Sequence, residues 1–558
     1  MHVTSGDARL RRRPESPQSE SQKGKTVTFP SATRNTLPFV AVSALLLAGC
    51  AADGSEGSTD GNGQDDLELS FQIGSPTSLN PLRDIGSQIG MAMCANLVEL
   101  NKESQEFENL AAASVESDDA QQWTITLHED WTFHDGSDVT AHSYVDAWNE
   151  AATGANAWQS NGTFSVVAGY SDLNPTDGSE PESEELSGLD VVDDHTFTVQ
   201  LNEPNADFPK VLSTNSTCPL PEVAFDDMEA FEDEPIGNGP YKFAERVQNQ
   251  HVTLERWEDF PGDDAFSGEA HRLVAQEYTS PDSAYTDFSA GNLDMIRNVP
   301  ANTVSRAQQE LDEEAIYEAS LQSKQYRLNV PDYVDELSDP NLRKAISYAI
   351  DRQTLVDSVL DGHAVISDSL VTPDIPSYSE AACEACEFDP ETAQQLYSET
   401  DGLDQLTIHY NEDDQQVVEA IGRQINETLG IEINYDPMMA AMLSETNNNQ
   451  ELEGLSFGLW GWSYRSPDQY MSTYETGGSG NQVIAYSNDA VDEMISEARG
   501  TQGEQERNEL YADAEQVVLE DQPTIPLFIP IDYGLQGGCA AMNDVQGDIQ
   551  FYRADSSC

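Results

Sequence analysis

The sequence predicts an α/β chain, and three observations carry that prediction. Residues 406–435 read without a break as strand, helix, strand. Leu406-Thr407-Ile408-His409-Tyr410 alternates, Val417, Val418, Ile421, Ile425 and Leu429 recur at helical spacing, and Ile431-Glu432-Ile433-Asn434-Tyr435 alternates again. A helix joining two strands in this way is the parallel crossover unit. The second observation is period-two patterning at Trp123-Thr124-Ile125-Thr126-Leu127 and His195-Thr196-Phe197-Thr198-Val199-Gln200-Leu201, which marks two further strands. The third is a helix predicted over 341–360, where Leu342, Ile346, Ile350, Val356 and Leu360 share one side. Asp339-Pro340 starts that helix, and Gly430 caps the end of the helix before it reaches the strand at 431.

Ahead of this body lies a leader. The apolar run Phe39-Val40-Ala41-Val42-Ser43-Ala44-Leu45-Leu46-Leu47 has nine residues, too few for a hydrocarbon core that needs about twenty. A basic start, a short apolar core and small residues before a cut read as a secretory signal. Leu47-Ala48-Gly49-Cys50 resembles a bacterial lipobox, which implies cleavage before Cys50 and diacylglycerol on its thiol. Two acyl chains anchor stably where one is marginal. Residues 1–49 are thus expected to be a lipoprotein signal peptide, and 50–66, small and polar, a flexible tether. The body is expected outside the cytoplasm, anchored to the outer face of a bacterial cell membrane. Arg11-Arg12-Arg13 stands far from the apolar run, so either translation starts later or the leader is an unusual twin-arginine signal.

Lys and Arg number 26 against 101 Asp and Glu, a formal net charge of −75. Phosphate recognition needs basic patches, so nucleic acid is excluded as a partner. Beyond the leader the lysines are Lys102, Lys210, Lys242, Lys324 and Lys344. Acid excess with so few lysines reads as adaptation to high salt, where self-repulsion is screened. Runs such as Glu180-Pro181-Glu182-Ser183-Glu184-Glu185 read as solvated loops. The length suits about three domains, with no run after Cys50 long enough to span a membrane and no internal repeat. Cys94, Cys218, Cys383, Cys386, Cys539 and Cys558 make an even set, which in an exported protein suggests disulfides with the pairing open. Cys539 with Cys558 would tie down the tail, and Cys383 with Cys386 would close on itself. The Cys-x-x-Cys also fits redox or zinc chemistry, but without a second pair or nearby histidines structural bonding is preferred.

Four stretches stand out in order: Trp131-Thr132-Phe133-His134-Asp135-Gly136-Ser137-Asp138-Val139-Thr140-Ala141; Pro235-Ile236-Gly237-Asn238-Gly239-Pro240-Tyr241-Lys242-Phe243; Asn341-Leu342-Arg343-Lys344-Ala345-Ile346-Ser347-Tyr348-Ala349-Ile350-Asp351-Arg352; and Trp460-Gly461-Trp462-Ser463-Tyr464-Arg465-Ser466-Pro467, with Pro523-Thr524-Ile525-Pro526-Leu527-Phe528 closing the series. Phe-His-Asp-Gly reads as a tight turn bent at Asp135-Gly136. His134 as a metal ligand is disfavoured because no histidine follows at i+4. Gly237 and Gly239 permit close backbone approach and Pro240 stiffens the exit, which suits a crossing between domains. No Lys-Ser/Thr follows those glycines, so a phosphate loop is disfavoured.

Together these stretches closely resemble the family 5 solute-binding proteins, the oligopeptide-, dipeptide- and nickel-binding components of ABC importers. The resemblance runs from about 68 to about 535. It implies a bilobed, periplasmic-binding-protein-like α/β fold of three domains, with the ligand enclosed between lobes. Carried over, domain I takes 67–103, 236–320 and 525–558, domain II 104–235, and domain III 321–524. Peptide-binding members carry Trp-x-x-Asp-x-x-x-Pro, whose Asp pairs with the ligand's α-amino group. Trp460 falls on the tryptophan and Pro467 on the proline, but Ser463 falls on the aspartate. A serine accepts a hydrogen bond without neutralising a charge, so blocked peptides, amino-sugar conjugates or other polar ligands stay open, as does an acid from elsewhere in the cleft.

The resemblance places Trp460, Gly461, Trp462, Ser463, Tyr464 and Arg465 at the ligand, with one tryptophan core and one facing ligand. Arg465 is expected to pair with a carboxylate of ligand or protein. Asn329, in Tyr326-Arg327-Leu328-Asn329, and Ser75–Asn80 are weaker contacts. The leading expectation is a monomeric binding lipoprotein that hands a peptide-like solute to permease and ATPase subunits, without catalysis, cofactor or metal. A secreted hydrolase is opposed by the lack of Gly-x-Ser-x-Gly and His-Glu-x-x-His, although counting carboxylates does not exclude a paired-acid glycosidase. The same fold would also serve a peptide sensor, or a binder of a nickel complex, haem or a sugar.

Overall fold

The computed structural model describes residues 67–556 except 102–103, 176–178, 263–265, 267, 321–322 and 546–547. The leader, Cys50, the tether and Cys558 lie outside the described residues. Three larger sheets organise the chain. A seven-stranded sheet orders Ile316–Glu318, Tyr533–Gln536, Met295–Ile296, Glu68–Ile73, Arg272–Glu277, His251–Arg256 and Tyr241–Val247. Its Glu68–Ile73 strand pairs in parallel on both sides, and its outer pairs are antiparallel. A four-stranded antiparallel sheet orders Ala112–Glu116, Gln122–Leu127, Thr196–Gln200 and Leu189–Asp193. Its two alternating strands are the ones patterned at 123–127 and 195–201. Helix Ala141–Ala152 buries Tyr144 and Trp148 with Phe197 of this sheet, ring centroids 5.8 and 5.5 Å away.

A six-stranded sheet orders Ala364–Ile366, Thr524–Pro530, Lys324–Asn329, Leu455–Gly461, Gln405–Asn411 and Glu432–Met438. Its crossover is the expected strand–helix–strand: Gln405–Asn411 and Glu432–Met438 pair in parallel around helix Gln415–Leu429, which ends at Gly430 with φ 76°. That helix buries Val417, Val418, Ile421, Ile425 and Leu429. The boundary expected at 525 falls differently. Thr524–Pro530 is an interior strand of the six-stranded sheet, and the chain returns to the seven-stranded sheet at Tyr533. Its continuous apolar run suits an interior strand, covered on both faces, and its pairing with Tyr326–Asn329 sets the sheet that receives it.

The single helix expected over 341–360 is two, Pro340–Tyr348 and Arg352–Ser358. Asp351 caps the second by accepting from Thr354 N, which competes with helix continuation. Arg352 turns inward, donating to the carbonyls of Ser347, Ile350, Cys386 and Pro526.

The turn at Phe133-His134-Asp135-Gly136 forms with Gly136 at φ +85° and Gly136 N donating to Phe133 O at 2.9 Å. His134 joins it to the glycine segment. Its Nδ1 accepts from Gly237 N at 3.2 Å and its Nε2 faces Gly239 O at 2.9 Å. That pair of bonds selects the neutral Nε2–H tautomer. Burial drives the ring pKa from 6.5 down to about 4, against the pull of the Gly239 bond. A Cβ at Gly237 would sit 2.0 Å from Met93 O, and one at Gly239 2.5 Å from Cys94 N, so neither position accepts a side chain. Disulfides link Cys94 to Cys218 and Cys383 to Cys386. Cys539 is also disulfide-bonded.

Candidate functional site

Strand Leu455–Gly461 has one occupied edge and one nearly free. Lys324–Asn329 pairs with it at every residue from Ser456 to Gly461. On the other side Gln405–Asn411 pairs only with Leu455 and Ser456. From Phe457 onward that second edge carries no strand. The chain then continues through Trp462, whose N donates to Ser323 O at 3.1 Å, into Ser463.

Two cavities meet at Ser463. One, of about 400 Å³, is lined by Glu203, Asn205, Tyr464, Asp468, Glu475 and Arg499 among others. Its neighbour, of about 410 Å³, is lined by Asn96, Arg297, Lys324, Trp462, Asp548 and Tyr552 among others. Ile85, Thr214, Ser216 and Ser463 wall both. A further cavity of about 310 Å³ adjoins the second through Gly86, Arg297 and Asn298, and includes Ser75 and Pro76. The walls bring together segments that pattern reasoning places in separate parts of the chain.

The two sides differ in charge. Around the first cavity, Arg499 Nε donates to Asp468 Oδ1 at 2.7 Å and Nη1 to Glu475 Oε1 at 2.8 Å. Asp468 and Glu475 thus share one cation, and Glu203 lines the same cavity. Burial raises the Glu475 carboxyl above its ordinary range, with Arg499 opposing. The second cavity holds Arg297, paired with Asp548 at 2.8 Å, and Lys324, paired with Asp532 at 2.9 Å. Ser463 stands where an acidic wall meets one whose cations are paired with carboxylates.

The expected site residues divide. Ser463 is exposed and its N donates to Gln469 Oε1 at 3.1 Å. Trp462 is 6% exposed, with Nε1 on Thr372 Oγ1. Tyr464 is buried in the core cluster that also holds Trp123 and Phe208. Gly461 is exposed at the strand end, where a Cβ would meet Ser323 O at 2.9 Å. Trp460 and Asn329 instead line a separate cavity of about 670 Å³, which adjoins the first through Ser479. Arg465 pairs with no carboxylate among the described residues. Its Nε donates to Asp374 O and its Nη1 to Gln105 Oε1, both neutral acceptors.

Sequence reasoning missed a buried ionic contact next to this site. Asp207, 1% exposed, is ion-paired through Oδ1 with Arg507 at 2.7 Å and Lys210 at 3.1 Å, and Ser466 Oγ donates to its other oxygen. Residues far apart in sequence supply it, so no local pattern announces it. Among the described residues no cluster of three or more His, Cys, Asp or Glu is arranged to hold a metal ion. No helix among them is long and apolar enough to cross a membrane.

Comparison with known proteins gives the family and the fold. The chain is 26% identical over 436 residues to the periplasmic oligopeptide-binding protein OppA of Salmonella typhimurium, covering 74% of this chain and 77% of that one. It is 23% identical to the dipeptide-binding protein DppE of Bacillus subtilis, covering 86% and 91%. Its fold matches the unliganded open form of the murein tripeptide binding protein MppA with a TM-score of 0.72 at 21% identity, covering 86% and 94%. The two-lobed α/β fold expected from sequence is the fold observed. The description of bacterial extracellular solute-binding proteins, family 5, matches residues 106–482, and the chain belongs to that family.

Proposed function

We propose that this protein captures peptides outside the cell and delivers them to the permease of an ABC importer. The observation that carries the reading is the free edge of Phe457–Gly461 leading into a cleft at Ser463. An extended peptide adds to such an edge through its main chain, which gives affinity with broad side-chain tolerance. Relatives named for oligopeptide and dipeptide binding support it.

In this reading Trp460, Gly461 and Ser463 run alongside the ligand, while Trp462, Tyr464 and Arg465 hold that segment in place. The α-ammonium lies near Ser463, and Asp468 and Glu475 on the adjoining wall supply the negative charge a serine lacks. A buried ammonium needs such a counter-charge. The lobes close on ligand because the closed state binds it better. The three sheets serve as the cores of domains I, II and III, with the I/III boundary after Pro530. The lipobox at Cys50 tethers the protein to the outer face of the cell membrane.

Ser463 favours one second reading, a solute without a free amino group. Uptake of labelled peptides by cells with and without the gene tests transport. Loss of uptake on deletion, restored by the intact gene, is expected. Binding by the pure protein with uptake unchanged would point to a sensor instead.

A further inference from the structure

Four arginines among the described residues are buried: Arg327, Arg343, Arg352 and Arg507, at 2, 3, 2 and 4% exposure. Three of them are well supplied with acceptors. Arg343 meets the Asp332 carboxylate and the carbonyls of Leu337 and Asp521. Arg507 meets Asp207 and the carbonyls of Thr501 and Gln502. Arg352 is ringed by carbonyls and the Ser347 hydroxyl.

Arg327 is different. Its Nε donates to Asn329 Oδ1 at 3.0 Å and its Nη1 to Tyr474 OH at 3.2 Å. The rings of Trp460 and Tyr474 lie 4.7 and 5.9 Å from its guanidinium carbon. No described carboxylate is within ion-pair distance, and Nη2 has no protein acceptor among the described residues. Burying a cation without an anion is costly, and ring faces offset only part of that cost.

Arg327 lines the cavity of about 670 Å³ that runs beside the free strand edge, walled also by Asn411, Ser444, Asn448, Gly458, Trp460 and Gln482 among others. Asp413 and Asp414 also line it, and neither pairs with Arg327. We propose that Arg327 is a subsite for a ligand carboxylate, reached by a peptide lying along Phe457–Gly461. The proposal rests on the peptide reading and names the end of the ligand that this cavity takes. Arg327 is the register partner of Gly458, five positions before Ser463. At the rise of a β-strand that span is about 17 Å, or about five ligand residues. A ligand of about that length, with its amino end at Ser463, brings its terminal carboxylate to Arg327.

Calorimetry on the mature chain, using alanine peptides of about three to six residues as free acids and as C-terminal amides, tests this. The acid is expected to bind about tenfold or more tightly than the amide, as a charge-assisted hydrogen bond implies. The gap should be widest near five residues, and Arg327→Met should close it by bringing the acid down to the affinity of the amide. Amides ending in Glu or Gln separate the two sources of a carboxylate, since rescue by Glu alone supports the subsite but assigns it to a side chain. Equal binding of acid and amide overturns the subsite and leaves the peptide reading intact. Tighter binding of the amide overturns it, since that would show the carboxylate repelled by Asp413 and Asp414 rather than held by Arg327. Binding of no peptide overturns both. If Arg327→Met fails to fold, the wild-type comparison of acid and amide still decides.

Discussion

His134→Gln replaces a titrating ring with a neutral amide at the joint between the turn at 133–136 and the crossing at 235–243. In the folded protein burial holds His134 at about 4, against 6.5 for the free side chain. The folded state therefore keeps the ring neutral while the unfolded chain takes up a proton below pH 6.5. The stability linked to the depressed pKa is fully present above pH 6.5 and is lost as pH falls through about 4. The shift corresponds to about 3 kcal/mol, of which about 2.5 kcal/mol disappears between about pH 7.5 and 4.5. Urea unfolding of the wild type and of His134→Gln across that range measures it. Subtracting one from the other removes the pH dependence of the many carboxylates they share. The variant should be the less stable near neutrality, and its deficit should shrink by roughly that amount by pH 4.5. A deficit that stays constant from pH 7.5 to 4.5 would refute the assignment of a neutral ring bonded to Gly237 and Gly239.

Ser463→Asp restores a carboxylate beside the cleft, and calorimetry should show about tenfold tighter binding of free-amino peptides with no gain for N-acetylated ones; an equal gain for both would place the amino end elsewhere. Removing both Cys94 and Cys218 opens a link spanning 124 residues. Chain entropy alone predicts a loss of about 5 kcal/mol, readable from denaturant midpoints, and a loss under about 1 kcal/mol would contradict it. With a formal charge of −75, the melting temperature should rise steadily from low to molar potassium chloride as repulsion is screened. Identical melts at both extremes would end the high-salt reading.

What sequence reveals here follows the range of the interactions involved. The crossover at 405–438, the cap at Gly430, the turn at Gly136 and the Cys383–Cys386 bond are local, and residue type and spacing announce each. The break at 349–351 is hidden because apolar spacing carries across it. The Asp351 cap and the inward turn of Arg352 to carbonyls of distant segments explain it. Thr524–Pro530 reads as a buried strand, yet which sheet receives it depends on partners far earlier in the chain, at Tyr326–Asn329. The candidate site shows the same division. The stretch around Ser463 is legible through its motif, while the acids around Arg499 and the bare guanidinium of Arg327 are defined by partners that no window of sequence contains.

Peptide capture is put to its sharpest test by native mass spectrometry of protein exported and purified without denaturation, followed by release and sequencing of what it carries. A heterogeneous set of short peptides with free amino ends, clustered near five residues, is the expected result. A single non-peptide mass, or an empty cleft that ignores peptide mixtures, would contradict peptide capture and make Ser463 the mark of a different solute.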